Sequence, residues 1–387
     1  MDAGEDRLFL GFDFSTQQIK AEAISDSLQL VNETAVKFDS DLPEFKTHGG
    51  VHIHNDNVTV TAPTIMWVKA FDLLLDKMKK NGFPFHKVAC ISGAGQQNGS
   101  VYWKKGTNQI LRNLDDKRQL HEQLQCIIIY FKHFVIFSVA SLAGVAPKLG
   151  DTIISLGSSD TVFSWLSRQT VELDGDLFVN PIDPDTYMAF VGFKNGSLTR
   201  ERIKDECAEG SWDKFSECLK NTPMGNNGNI GIYFDVMEIQ PLSQGIFRFN
   251  KSDEKVASFP PEVEVRAVIE GQMIARKMYT EKRGIHTGLD TRILATGGAS
   301  LNKAILQVIS DVFGAPVFVS DIPNSAGLGS CYRAKHGLDG CDFAEVVKNH
   351  HRPECVAVPT EGASEVYKEM SLRYRKLERG VANQQKE

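Results

Sequence analysis

The sequence predicts an α/β protein built around a duplicated unit, and three observations carry that prediction. Two stretches share one chemistry, an apolar strand leading to a tip of small hydroxyl residues with an acid close by: residues 8–17, with Gly11, Asp13, Ser15, Thr16 and Gln17, and residues 151–166, with Gly157, Ser158, Ser159 and Asp160. A third apolar strand, residues 291–296, runs into the diglycine Gly297-Gly298, and a helical pattern follows over 301–309. Strands mixed with long helical periods ask for a sheet with helices laid on it.

Taken in order, residues 8–14 read as a strand because the run is apolar up to Asp13 and ends in turn residues. Residues 19–24 alternate apolar and polar, and 28–38 form a further extended stretch after Ser25-Asp26-Ser27. The sum is a three-strand meander whose first tip can aim backbone N–H groups and the Ser15 and Thr16 hydroxyls at a phosphate. Asp13 is placed there to hold a metal ion or a substrate hydroxyl. Residues 66–78 carry apolar side chains at helical spacing, and the strand over 88–92 then leads to Gln96, Gln97 and Asn98 at its carboxyl end. The run 126–137 is apolar and β-branched, and with its continuation to Val145 it reaches the length of a membrane span. Lys132 and His133 near its middle would be costly in lipid, so it reads as a strand or buried segment.

Beyond the second tip, residues 263–282 predict an amphipathic helix with Val265, Val268, Ile269, Met273 and Met278 on or near one face. Residues 316–320 predict a strand, a helix is expected to begin at Asn324-Ser325-Ala326, and the polar stretch 380–387 is expected to fray. Glycines at the junction 297–298 let a flat or anionic ligand approach the backbone. His48, His52 and His54 share one loop with no Cys or acid that completes a compelling metal set, although Asp56 is close.

Composition points away from nucleic acid and anionic membranes, since the 387-residue chain carries a net charge of −6. The residues before Leu8 show no apolar targeting core, and seven cysteines without paired short spacings suit reduced thiols, so a cytosolic protein is expected.

The order Gly11-x-Asp13-x-Ser15-Thr16, Gly157-Ser158-Ser159-Asp160-Thr161 and Gly297-Gly298-Ala299-Ser300 resembles the FGGY carbohydrate kinases, within them the animal members that act on xylulose. Supporting stretches are 92–100, 193–198 and 224–231. The resemblance implies an actin-like, ribonuclease-H-like fold of two domains around a cleft. Residues 1–139 would be a truncated, sugar-binding N-terminal domain, atypical over 126–138, and 140–387 a C-terminal nucleotide-binding domain. It implies ATP with Mg²⁺, and γ-phosphate transfer to D-xylulose giving D-xylulose 5-phosphate, with the protein a monomer.

Residue by residue, the resemblance assigns Asp13, Ser15, Thr16 and Gln17 to the first phosphate motif, Asp13 also organising the metal. Gly157, Ser158 and Ser159 match the second phosphate motif. Gly297, Gly298, Ala299 and Asn302 match the adenosine motif, and Trp212 an aromatic position near the nucleotide. Gln97 and Asn98 fall at the sugar, where the family has His in place of Asn98. The family also has a long further segment between the positions matching Gln125 and Ala140, ending in a general-base Asp at whose place this chain has Phe137. A catalytically impaired nucleotide-binding isoform is therefore the alternative expectation. A third, an actin-like ATPase without a sugar, is opposed by Gly95-Gln96-Gln97.

Overall fold

The computed structural model of the chain describes residues 7–54, 60–95, 99–103, 105–115, 117–124, 128–132, 144–157, 159–168, 176–180, 182–183, 185–320, 325–349 and 352–384. Its principal elements, in chain order, are β1 (Leu8–Phe14), β2 (Gln18–Ser25), β3 (Leu30–Lys37), α1 (Thr64–Lys80), β4 (Val88–Gly95), β5 (Gly99–Trp103) and β6 (Ile128–Lys132). There follow β7 (Thr152–Leu156), β8 (Asp160–Leu166), β9 (Asp176–Val179), β10 (Tyr187–Phe193), α2 (Ser197–Cys207), α3 (Trp212–Asn221), β11 (Ile230–Phe234) and β12 (Gly245–Phe249). The remainder are α4 (Pro261–Glu281), β13 (Ile293–Thr296), α5 (Lys303–Phe313), β14 (Val317–Val319), α6 (Ser325–Asp339), β15 (Glu354–Ala357) and α7 (Ala363–Gln384). These elements form two compact units, Met1–Ala146 with Asn324–His350, and Pro147–Pro323 with His351–Glu387.

In the first unit the sheet order is β3-β2-β1-β4, with β1–β2 and β2–β3 antiparallel and β4 parallel to β1. Met66, Ala70, Leu74 and Met78 recur every fourth residue on α1, and all are sealed against the sheet with Leu10, Phe12, Ile19 and Ala21. That helix covers one face, and α6 packs on β1, β2 and β4. A strand covered on both faces is apolar nearly throughout, which accounts for β1. Gly11 allows the approach of α6, because a Cβ there would stand 2.3 Å from the Gly327 carbonyl oxygen. The contiguous division at 139/140 expected from sequence is thus crossed by α6, which the chain sends back to the first unit. Beside β4, an apolar groove of about 670 Å³ is lined by Phe12, Phe71, Leu75, Phe85 and Ile91.

The second unit holds a seven-stranded sheet, β9-β10-β8-β7-β13-β14-β15. Here β7–β8 and β8–β10 are antiparallel while β13 is parallel to β7, so β10-β8-β7-β13 reproduces the pattern of β3-β2-β1-β4. That correspondence is the duplication inferred from the two tips. The second unit continues with β14 parallel to β13; among the described residues the first unit's sheet stops at its fourth strand.

Two helices depart from expectation. α4 is buried around most of its circumference, because Arg266, Glu270 and Arg276 find internal partners. α7 continues to Gln384 instead of fraying at 380, held by Val381, which is 3% exposed. The apolar stretch before Val145 contains strand β6, paired with β5, and residues 133–143 lie outside the described residues. No described helix is long and apolar enough to cross a membrane.

Candidate active site

The first unit's tip ends a strand whose last acid is buried. Asp13 is 5% exposed, and the Ser15 hydroxyl donates to its Oδ2 at 2.6 Å. Its Oδ1 has no hydrogen-bond partner among the described residues. Burial pushes the Asp13 carboxyl above the ordinary carboxylate range, opposed by the Ser15 hydrogen bond and the Lys20 ammonium. A buried, unpartnered carboxylate oxygen costs free energy unless something cationic or donating joins it, which is what a metal-organising acid requires. Thr16 and Gln17 stand exposed beside it, and the Gln17 carbonyl is fixed by the Phe38 N–H at 3.0 Å.

The second unit's tip looks the same in sequence but is wired differently. Gly157 accepts a hydrogen bond on its carbonyl from the Ser197 N–H at 2.8 Å, and Ser159 is exposed. Asp160 is fully buried and engaged by two cations: Arg200 grips it with bonds of 2.7 and 2.9 Å, and Arg276 adds one at 3.0 Å. Asp160 is therefore an anchor beneath the tip, its carboxylate taken up by Arg200 and Arg276. The sequence did not disclose this pairing. An Arg at 276 within an apolar helix was the available signal, since a buried guanidinium requires an acid somewhere.

The third element follows β13. Gly297 has φ +85°, and a Cβ on it would stand 2.5 Å from the Leu156 carbonyl oxygen, so close approach and backbone geometry both call for glycine. Around Gly298 a Cβ would meet nothing within 4 Å, which leaves its backbone open. Asn302 caps α5, its Oδ1 accepting from Ala304 and Ile305, and its Nδ2 donates to Ser216 Oγ at 2.9 Å. Ser216 in turn donates to the Trp212 carbonyl at 2.7 Å. This chain of bonds ties the start of α3 to the diglycine corner, uniting Trp212, Gly297, Gly298, Ala299 and Asn302. The indole of Trp212 is 39% exposed, packs edge-on to Phe215 at 5.2 Å, and has the Lys204 ammonium 5.5 Å from its ring centre. An open backbone corner joined to a half-exposed indole suits a flat aromatic base.

Gly297→Ala tests that corner. It is expected to destabilise the protein by about 1–3 kcal/mol through forced positive φ, and to weaken binding of an ATP analogue, read by thermal melting and calorimetric titration.

Gln97, Asn98, Ser158 and Phe137 lie outside the described residues. The loop histidines make ordinary contacts, His52 with the Phe45 carbonyl and His54 with the Thr61 hydroxyl. No group of His, Cys, Asp and Glu able to hold a metal on its own occurs among the described residues.

Residues 152–338 match the family model for the FGGY family of carbohydrate kinases, C-terminal domain. Xylulose kinase of Mus musculus is 39% identical, over 97% of this chain and 94% of that protein. Xylulose kinase of Rattus norvegicus is 38% identical over 97% of each. With the mouse protein, 520 aligned positions against 387 residues leave at least 133 positions without a counterpart here. Among solved structures, gluconate kinase from Lactobacillus acidophilus superposes with a TM-score of 0.74 at 12% identity, covering 98% of this chain and 99% of that one. Plasmodium falciparum glycerol kinase with ADP gives 0.67 at 13% identity, covering 98% and 99%. The latter two show a shared fold.

Proposed function

The chain belongs to the FGGY family of carbohydrate kinases, which are ATP-dependent enzymes, and from that premise we propose that it transfers the γ-phosphate of ATP to D-xylulose, forming D-xylulose 5-phosphate. The sugar rests on one observation, the 39% identity to a xylulose kinase over nearly the whole chain. In this reading Ser15, Thr16 and Gln17 hold phosphate from the first unit, and Gly157, Ser158 and Ser159 from the second. Gly297, Gly298, Ala299, Asn302 and Trp212 receive the adenosine. Gln97 and Asn98 contact sugar hydroxyls, an amide being able both to donate and to accept. Mg²⁺ neutralises charge on the transferring phosphoryl group, and Asp13 is the residue to hold it, fitted by its buried, unpartnered oxygen. The six described cysteines are free thiols, in keeping with action in the cytosol.

A second reading, a nucleotide-binding form with impaired turnover, is favoured by the positions that have no counterpart here. Loss of a positioned general base lowers a rate by about 10²–10⁴. ADP release with D-xylulose, D-ribulose and glycerol separates the readings. The kinase reading expects release selective for D-xylulose, slower by that factor than the ~1–100 s⁻¹ usual for kinases. ATP binding without sugar-dependent release would replace it with the second reading. Release indifferent to pentuloses would point to an ATPase without a sugar substrate.

A further inference from the structure

The second unit carries a cavity that none of the nucleotide-motif residues line. It lies where the end of α4 meets α7, measures about 650 Å³, and is bordered by Tyr279, Lys282, Arg375, Glu378 and Arg379. Glu378 is 3% exposed; its Oε2 accepts from the Tyr279 hydroxyl at 3.0 Å, and its Oε1 has no hydrogen-bond partner among the described residues. On the same helix, Arg375 and Arg379 are exposed. Among the described residues neither guanidinium makes a hydrogen bond or a close ion pair, and both act on the Glu378 carboxyl through space. A buried carboxyl with one oxygen unused, below two guanidinium groups that act on it through space, gives the cavity a polar floor, and its rim sets Lys282, Arg375 and Arg379 against the single acid Glu281.

We propose that this cavity binds a small phosphorylated polyol of the sugar-phosphate class, its phosphate held by Arg375 and Arg379 and one of its hydroxyls bonded to Glu378 Oε1. Guanidinium forks match phosphate oxygens in pairs, so two of them supply an anion site that a single surface cation does not. An ionised Glu378 would repel that anion. Burial pushes its carboxyl up to about 8, with Glu238 adding to the rise and Arg375 and Arg379 opposing it. Near neutral pH the group is therefore largely protonated and can donate to a ligand hydroxyl. The volume is ample for a five- or six-carbon sugar phosphate, in the range of small-molecule pockets. Phosphate alone would leave Glu378 unsatisfied, and a neutral sugar would leave the arginines unused.

Calorimetric titration of the full chain tests the site, with a non-hydrolysable ATP analogue and Mg²⁺ present to fill the nucleotide motifs. Ribose 5-phosphate, inorganic phosphate and ribose serve as probes. Ribose 5-phosphate is expected to bind at least about tenfold more tightly than either of the others. Arg375→Gln/Arg379→Gln should weaken it by about tenfold or more, with an unchanged melting temperature because both side chains are exposed. Arg379→Gln alone should give a smaller loss; Glu378→Gln, whose amide can still donate to the hydroxyl, should retain the affinity, and Glu378→Leu should lose it for the sugar phosphate only. Equal affinity in wild type and the double variant, or no binding of ribose 5-phosphate at millimolar concentration, would overturn the proposal.

Discussion

Asp13→Asn is expected to lower sugar-dependent phosphoryl transfer by about 10²–10³, the scale of losing one preorganised charge-stabilising group, while leaving the protein at least as stable as the wild type. Both halves follow from the same burial. The Asp13 carboxyl is 5% exposed and its Oδ1 is without a partner among the described residues, so its charge is held at a cost that only function explains. Desolvation raises its pKa in the folded state above the ordinary carboxylate value, against Ser15 and Lys20. Between those two pH values the folded chain binds more protons than the unfolded chain, so stability falls as pH rises through the window. Stability from this group is fully present below the ordinary carboxylate pKa and lost as pH passes the raised one. Asn has the same shape, keeps the Ser15 contact and carries no charge. Thermal melts at pH 7.5 should place the variant level with or above the wild type, and the gap should close as the pH approaches 4. A variant that melts lower at pH 7.5, or that turns over normally, removes Asp13 from its assigned role.

Much of this arrangement was legible in the chain because it is local. The meander β1–β2–β3, helix α1 and the hairpin β7–β8 follow from periodicity and turn residues within short windows. The likeness of the two tips forecast the duplication, and the sheet orders β3-β2-β1-β4 and β10-β8-β7-β13 express it in topology. The correspondence reaches the site as well. In the chain Gln96 comes directly after the fourth strand of one unit as Gly297 comes directly after the fourth strand of the other.

What stayed hidden depends on partners far apart in sequence. α6 packs on β1 across some three hundred residues of chain. Its small residues Gly327 and Cys331, set against Gly11, show the reason only once the sheet is assembled. α4 reads as amphipathic because Arg266, Glu270 and Arg276 look solvated until the groups that satisfy them are known. The same blindness made Asp13 and Asp160 look equivalent: Arg276 signals that some acid is held inside, but not which one.

Asp160→Ala should therefore do the opposite of Asp13→Asn, destabilising the fold by about 3–5 kcal/mol, the cost of leaving a buried charge unpaired. Arg200 and Arg276 are 0% and 4% exposed at the side chain, and the carboxylate joins them at 2.7 and 3.0 Å. Their other contacts soften the loss without abolishing it. Arg200 retains Gln272 at 2.9 Å, while Arg276 retains the Asn195 carbonyl at 2.7 Å and lies over the Phe193 ring at 4.4 Å. Against a usual total of about 5–15 kcal/mol, such a change is a large fraction of the fold's stability. Urea unfolding should show a midpoint well below wild type with activity surviving in proportion to the folded fraction. The triple variant Asp160→Leu/Arg200→Met/Arg276→Met should recover much of the loss, because removing every charge of a buried network together is far milder than removing one. A single variant as stable as wild type would mean that water reaches these arginines. A triple variant no better than the single one would mean that the network fixes the second tip by geometry as well as charge, with Gly157 and Ser159 displaced when it goes.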